Sequence, residues 1–206
     1  MPCYAIDGLV PVVDPTAYVH PTAVLIGDVI VGPGCYVGPC ASLRGDFGRI
    51  EMGAGSNLQD TCVVHGFPSA VTRIDENGHI GHGAVLHGCV VGRDALVGMN
   101  AVVMDEAEVG AGAFVAASSF VPAGMKIEPA TLVAGVPAKV RRPLTDAELA
   151  WKAEGTRTYQ ALSERCLRTM EEVTPLTAVE ADRPSLPDGG VRTLIATRRE
   201  GSPTAS

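Results

Sequence analysis

Residues 85–121 read VLHGCVVGRDALVGMNAVVMDEAEVGAGAFVAASSFV, and stepping through them by six returns Val85, Val91, Val97, Val103, Val109, Val115 and Val121. Four positions after each valine a small side chain recurs, at Cys89, Ala95, Ala101, Ala107, Ala113 and Ser119, and Gly92, Gly98 and Gly110 follow their valines directly. A period of six matches neither the 3.6 of a helix nor plain strand alternation; it is a hexapeptide period of parallel β-helices. Each six then forms one side of a coil, with the branched aliphatic pointing inward, the small residue at a tight corner and glycine relieving the turn.

The same register organises the earlier chain, where Val19, Leu25, Val31, Val37 and Leu43 are followed at plus four by Ala23, Val29, Cys35 and Ala41. Aromatic residues make up 4% of the chain, which suits so narrow an interior. Fixing a residue costs roughly 1 to 2 kcal/mol, and burying a Val or Leu returns roughly 1.5 to 3 kcal/mol. With only about three side chains per coil pointing inward, one coil is unstable and the coils must stack.

Between Leu43 and Val85 the register is disturbed. Ile50, Ile74 and Ile80 sit one phase later, and GFPSAVTRIDENG (66–78) reads as a loop containing Pro68 and the turn pair Asn77-Gly78. After LVAGVPAKVRRP (132–143) the pattern becomes helical. Thr145 to Glu148 forms a capping box, and Leu149, Tyr159, Leu162, Cys166, Met170 and Val173 follow at helical spacings up to Pro175. The expected organisation is a β-helix over 1–140 with a loop at 66–78, a C-terminal helix over 141–175 packing on the coils, and an extended or disordered tail over 176–206.

The formal charge is -7. Residues 1–140 hold 6 Lys/Arg against 13 Asp/Glu, whereas 141–206 hold 10 of each, so the repeat body carries the net charge. An acidic body with no basic run argues against nucleic acid or an anionic membrane as partner. Apolar stretches are broken by Gly, Pro, Asp or His every few positions, so no membrane span is expected. The first fifteen residues have neither a basic leader nor an unbroken apolar segment, which predicts a cytoplasmic chain. Its six cysteines, without a CxxC pair, are then reduced thiols that serve mostly as small buried hydrophobes.

Histidines are the conspicuous chemistry. HIGHGAVLHG (79–88) holds three of the five, and the repeat phase separates them. If a coil takes three hexapeptides, the gap of 17 places His82 about one coil from His65, and His87 follows five later, while His79 belongs to the loop. Three histidines with an open fourth position are the donor set of a catalytic zinc, although imidazole suits other divalent metals as well. SLRGDFGRI (42–50) and NLQDTCVVHG (57–66) add Arg44, Asp46, Asn57, Gln59 and Asp60. Taken singly, these residues read equally as solvated turn histidines and structural ion pairs.

The runs YAIDGLVPVV, HPTAVLIGDVIVG, SLRGDFGRI, NLQD, VVHG, GHIGHGAVLHGC and LVGMNAVVMD together resemble the γ-class carbonic anhydrase-like hexapeptide-repeat family, in particular its phenylacetic acid degradation (PaaY) type and carnitine-operon relatives. The resemblance runs from about residue 3 to the helix near 170. It implies a left-handed parallel β-helix, assembled as a homotrimer with one divalent metal per chain at the subunit interfaces, zinc first and iron or cobalt as alternatives. His65 and His87 would bind the metal from one subunit and His82 from its neighbour. Gln59 and Tyr159 would be catalytic, Gln59 by orienting metal-bound water, and Arg44, Asp46 and Asp60 would form interface ion pairs.

The function so implied is hydrolysis of acyl-CoA thioesters in phenylacetate catabolism, because a metal lowers the pKa of bound water to roughly 7 and supplies hydroxide to attack a carbonyl carbon. Three alternatives stay open: reversible carbon dioxide hydration, acyl transfer by a metal-free catalytic histidine (AGVPAK, 134–139, resembles a motif of hexapeptide acyltransferases), and a non-catalytic scaffold trimer. Either enzymatic reading takes a small-molecule substrate, acyl-CoA or carbon dioxide and bicarbonate. The sequence departs from the family at Phe47, where the γ-class enzyme has a proton-shuttling Glu. Asp75 and Glu76 are the candidate replacement shuttles.

Overall fold

The computed structural model describes residues 2–186 and 193–200. The hexapeptide register becomes a left-handed parallel β-helix of about seven turns with a helix laid along one side. Its cross-section is a triangle. The first and second faces share two long strands, Val24–Val31 and Ser42–Met52, which bend through the corner between them. The first face continues with Val63–His65, Val85–His87, Val102–Val103 and Phe120–Val121, and the second with Val71–Ile74, Val90–Val91, Glu108–Val109 and Lys126–Ile127. The third runs from Tyr18–Val19 through Asn57–Leu58, His79–Ile80, Leu96–Val97 and Phe114–Val115 to Thr131–Ala134, which pairs antiparallel with Lys139–Pro143.

The inward column is fully buried at Leu25, Val37, Leu43, Val91, Val97, Val103, Val115 and Val121, and the small column at Ala23, Cys89, Ala95, Ala101, Ala107 and Ala113. Val85 departs from the inward expectation: it faces outward, and Leu86 fills the core in its place. The cause is a short coil. Val85 pairs with Val102, seventeen residues on, whereas Leu96 pairs with Phe114, eighteen on. Four cysteines (Cys35, Cys62, Cys89, Cys166) are buried, while Cys3 and Cys40 are exposed. Burial pushes the thiols of Cys62 and Cys89 up to about 11 and about 12, which keeps them protonated and unreactive.

Two insertions interrupt the eighteen-residue pitch, both at the corner between the first and second faces. Ile26 pairs with Arg44 eighteen residues on, but Val29 pairs with Ile50 twenty-one on, so extra residues enter around Asp46–Phe47. His65 pairs with His87 twenty-two on, so more enter at 66–70. The expected loop 66–78 is accordingly shorter: Val71–Ile74 is a strand of the second face, with Thr72 and Ile74 buried. Its alternation VTRI was masked by Pro68 before it and Asn77-Gly78 after it.

Helix α1 (Asp146–Thr169) begins on the expected capping box, with Thr145 Oγ1 accepting from the Glu148 amide and the Glu148 carboxylate accepting from the Thr145 amide. It runs down the third face to the first rung, where Tyr159, Leu162 and Cys166 pack on Tyr18 and Tyr36. The helix ends before the expected Pro175. Tyr18 hydroxyl donates to Met170 Sδ at 2.5 Å, and beyond that rung the third face offers nothing to pack on. Residues 171–186 are exposed without helix or strand. Against the expected structureless tail, α2 (Leu194–Glu200) is helical and packs beside α1; tail residues 187–192 and 201–206 lie outside the described residues. No helix among the described residues is long and apolar enough to cross a membrane.

Candidate functional site

His65 and His87 end adjacent strands of the first face and stand in register, at the corner widened by the two insertions. His65 Nδ1 lies 3.1 Å from His87 Nε2. The far nitrogen of each ring meets a carboxylate: His65 Nε2 is 3.0 Å from Asp46 Oδ1, and His87 Nδ1 contacts Asp105 Oδ1. Arg44 pairs with the other Asp46 oxygen at 3.2 Å, and its Nη2 lies 3.3 Å from His65 Nε2. Both histidines are mostly buried. Each insertion contributes a phenylalanine, Phe47 tilted on the His65 ring at 5.1 Å and Phe67 edge-on to His87 at 5.0 Å, both exposed on their outer sides.

This arrangement has an electrostatic consequence. In the tautomers that satisfy both carboxylates, each histidine donates its far N–H, which leaves the two facing nitrogens as bare lone pairs at 3.1 Å. Two acceptors at that distance repel unless a proton or a cation lies between them. Nitrogens bound at 2.0–2.1 Å to a tetrahedral zinc stand about 3.3 Å apart, and carboxylates on the outer nitrogens are the usual support of metal-binding histidines. The pair therefore fits two corners of a metal shell. Among the described residues no group of three or more His, Cys, Asp or Glu side chains converges, so one chain supplies only part of such a shell.

His82 sits at a different corner, between the third and first faces, with the strand Val85–His87 separating it from the pair. Its Nδ1 is 2.7 Å from Asp60 Oδ2, and both side chains are 41% exposed, open to a partner. Asp60 thus holds a histidine, while Arg44 and Asp46 pair with each other within the chain at the other corner.

Gln59 lies on the His82 side. It is 2% exposed, and its Nε2 donates to Asn57 Oδ1 at 3.0 Å and lies 2.8 Å from His79 Nε2. His79 is not a loop residue but a rung of the third face, paired with Asn57 and Leu96. Its pKa is pushed down to about 3, chiefly by burial and further by the charges of Lys152 and His82. Tyr159 meets the same histidine edge-on at 5.4 Å, and burial lifts its phenol to about 12. Within one chain neither Gln59 nor Tyr159 reaches the His65–His87 pair.

Asp75 and Glu76 occupy the third corner, between the second and third faces, which carries no histidine. They are engaged by Arg73 at 2.6 Å and Arg93 at 2.5 Å. The chain thus brings them to neither histidine corner. Two members of the site escape a reading by sequence motif, Asp105 and Phe67. Asp105 lies one position past the register partner of His87, because the coil between them is seventeen residues long, so the repeat phase does not mark it; Phe67 lies in an insertion, where the period predicts nothing.

No protein-family model matches the chain. It is 60% identical over 186 residues to the carnitine operon protein CaiE of Citrobacter koseri, which covers 90% of this chain and 94% of that one. The CaiE of Salmonella newport matches with the same identity and coverage. Among solved structures, a Bacillus cereus protein described as a putative acetyltransferase superposes with a TM-score of 0.79 at 32% identity, covering 80% of this chain and 96% of its own. A hexapeptide transferase family protein of Anaplasma phagocytophilum gives 0.77 at 37% identity, covering 80% and 97%.

Proposed function

The chain belongs to the family of the carnitine operon proteins CaiE, within the hexapeptide-repeat proteins, and from that premise we propose that it is an acyl-thioester hydrolase whose centre is completed between subunits. The observation that carries this reading is the pair of imidazole nitrogens facing each other 3.1 Å apart, each ring backed by a carboxylate. His65 and His87 of one subunit and His82 of a neighbour would hold a divalent metal. When bound, such a metal supplies Lewis-acid polarisation of a carbonyl and lowers the pKa of water to about 7.

The chain's own residues do the rest. Asp46 and Asp105 fix the ring tautomers, Arg44 holds Asp46 in place, and Phe47 and Phe67 keep water from the imidazoles. Because the two half-sites lie at different corners, the contact joining them would be heterologous, which closes into a ring where the rotation between subunits allows it and otherwise runs on as a filament. A triangular prism meeting its neighbours corner to corner closes at three.

Acyl transfer is the second reading, and the descriptions of the two solved structures as an acetyltransferase and a hexapeptide transferase favour it. On those descriptions alone it is the better supported. In it His87, oriented by Asp105, is a general base that deprotonates an acceptor. Carbon dioxide hydration ranks behind both, because Phe47 places an apolar ring where proton export needs a carboxylate and Asp75 and Glu76 are tied up at another corner.

One preparation separates the readings. Elemental analysis should find about one divalent metal per chain, and CoA should be released from acyl-CoA without any added acceptor, with His87→Ala losing both. Release that requires an amine or alcohol acceptor and survives chelation would replace hydrolysis with transfer.

A further inference from the structure

The third face carries an outward ladder in strict register, Asn57, His79, Leu96, Phe114 and Leu132. It changes from polar to apolar between His79 and Leu96. Over the apolar half α1 stands away from the sheet, leaving a cavity of about 450 Å³ between Leu96, Phe114 and Leu132 on the sheet and Trp151 on the helix. That is a volume typical of small-molecule pockets.

The cavity is apolar along its length and polar at one end. There it is lined by Gln59 and Gly81, the residues immediately before Asp60 and His82, whose side chains pair at 2.7 Å. Gln59 is 2% exposed. Its Nε2 is engaged, while its Oε1 has no hydrogen-bond partner among the described residues. No buried side-chain oxygen or nitrogen among the described residues lacks a partner, so the unpaired Oε1 keeps accessible surface; an amide at the polar end of an apolar trough suits a ligand with a polar head and an apolar tail.

We infer that this trough holds the acyl chain of the thioester substrate, with the thioester end at Gln59 behind the Asp60–His82 pair and the hydrocarbon along Leu96, Phe114 and Leu132 toward Trp151. The inference rests on the acyl-thioester reading and makes it specific: the preferred substrates are medium-chain or aryl acyl groups rather than acetyl.

Trp151 is the chain's only tryptophan, so its fluorescence reports occupancy directly. The probes are S-alkyl-CoA thioethers of four, six and eight carbons, which cannot be hydrolysed, with CoA as the control. Each thioether should change the Trp151 emission saturably, and Kd should fall about fifteenfold for each two-carbon step, from about 0.8 kcal/mol per buried methylene. Ala116→Phe, which fills the trough from the sheet side, should flatten that dependence while the variant melts as a folded protein.

A Trp151 response independent of chain length, or a chain-length dependence unchanged in folded Ala116→Phe, overturns the inference. The parent reading fails differently. If thioethers bind with the expected chain-length dependence but no thioester of any length releases CoA, the trough stands and the hydrolase does not. If acetyl-CoA is hydrolysed and chain length is not sensed, the reverse holds.

Discussion

His79 shows how much one residue's placement decides. In the sequence it looks like a third member of a histidine cluster; in the fold it is a neutral strut on the third face, held between Gln59 and Tyr159. The unfolded chain takes up a proton on this histidine near pH 6.5, whereas the folded chain resists until about 3. Between those values the unfolded state binds the extra proton, so stability falls as pH drops through 6.5 toward 3. The gap is worth roughly 4 to 5 kcal/mol at most. Melting temperatures at pH 7, 5 and 4 should therefore decline less steeply in His79→Gln than in the wild type; parallel declines would mean that His79 titrates normally. The supporting carboxylates allow a second test at the same scale. Asp105→Asn keeps the shape but cannot hold His87 in the same tautomer, and should weaken metal retention by about 10- to 100-fold, read by competition with a chelator. Residue type singled out His65, His82 and His87, but spacing misplaced them: the residues inserted at 66–70 lengthen that coil to twenty-two, so His87 and not His82 stacks on His65. Asp105 carried no signal, because a lone aspartate at a turn has none until the length of its coil is known.

At the scale of elements, legibility followed regularity. The rungs with an eighteen-residue pitch and the start of the helix at its capping box are written in local patterns, and both form, although the helix ends at Thr169 rather than at Pro175. The two insertions break the pitch, so the strand Val71–Ile74 was hidden between turn residues, and the short coil reversed Val85 and Leu86. The same irregularity makes the site, since the insertions supply Asp46, Phe47 and Phe67. Helix α1 depends on its start. Glu148 is buried, receives Arg142 in a two-pronged ion pair at 2.7 and 2.8 Å, and closes the capping box. Thr145→Ala should cost about 1 kcal/mol as the loss of a cap. Glu148→Ala should cost more, about 2 to 4 kcal/mol, because it also strands Arg142 and the Thr145 amide. Urea unfolding checks both, and equal costs would mean that the Arg142 contact contributes nothing. Further along the helix Lys152 donates to the Asn77 carbonyl at 2.6 Å, tying α1 to the corner between the second and third faces. Burial pushes this amine down to about 8.

At the scale of the whole molecule, a triangular solenoid separates the corners of one chain, so the proposed centre requires unlike corners of different chains to meet. His65 and His87 lie at one corner and His82 at another, so no motion that preserves the prism joins them in one subunit. A shared site has a property that an intrachain site lacks, complementation. His82→Ala alone and His87→Ala alone should each lose bound metal and CoA release. In a mixed assembly of the two variants, a junction in which the His82→Ala chain supplies His65 and His87 and the His87→Ala chain supplies His82 is intact. Random mixing makes roughly a quarter of the junctions intact in a closed ring, since each position has even odds. Co-expressing the two variants with different tags and isolating doubly tagged assemblies removes the unmixed rings, and every mixed ring of three has one intact junction, so about a third of wild-type metal and activity should be recovered, where either variant alone has none. Sedimentation on the same sample should give three chains per particle. A mixed trimer without recovery would confine the site to one chain and remove His82 from it, whereas recovery can arise only if the centre is built from two.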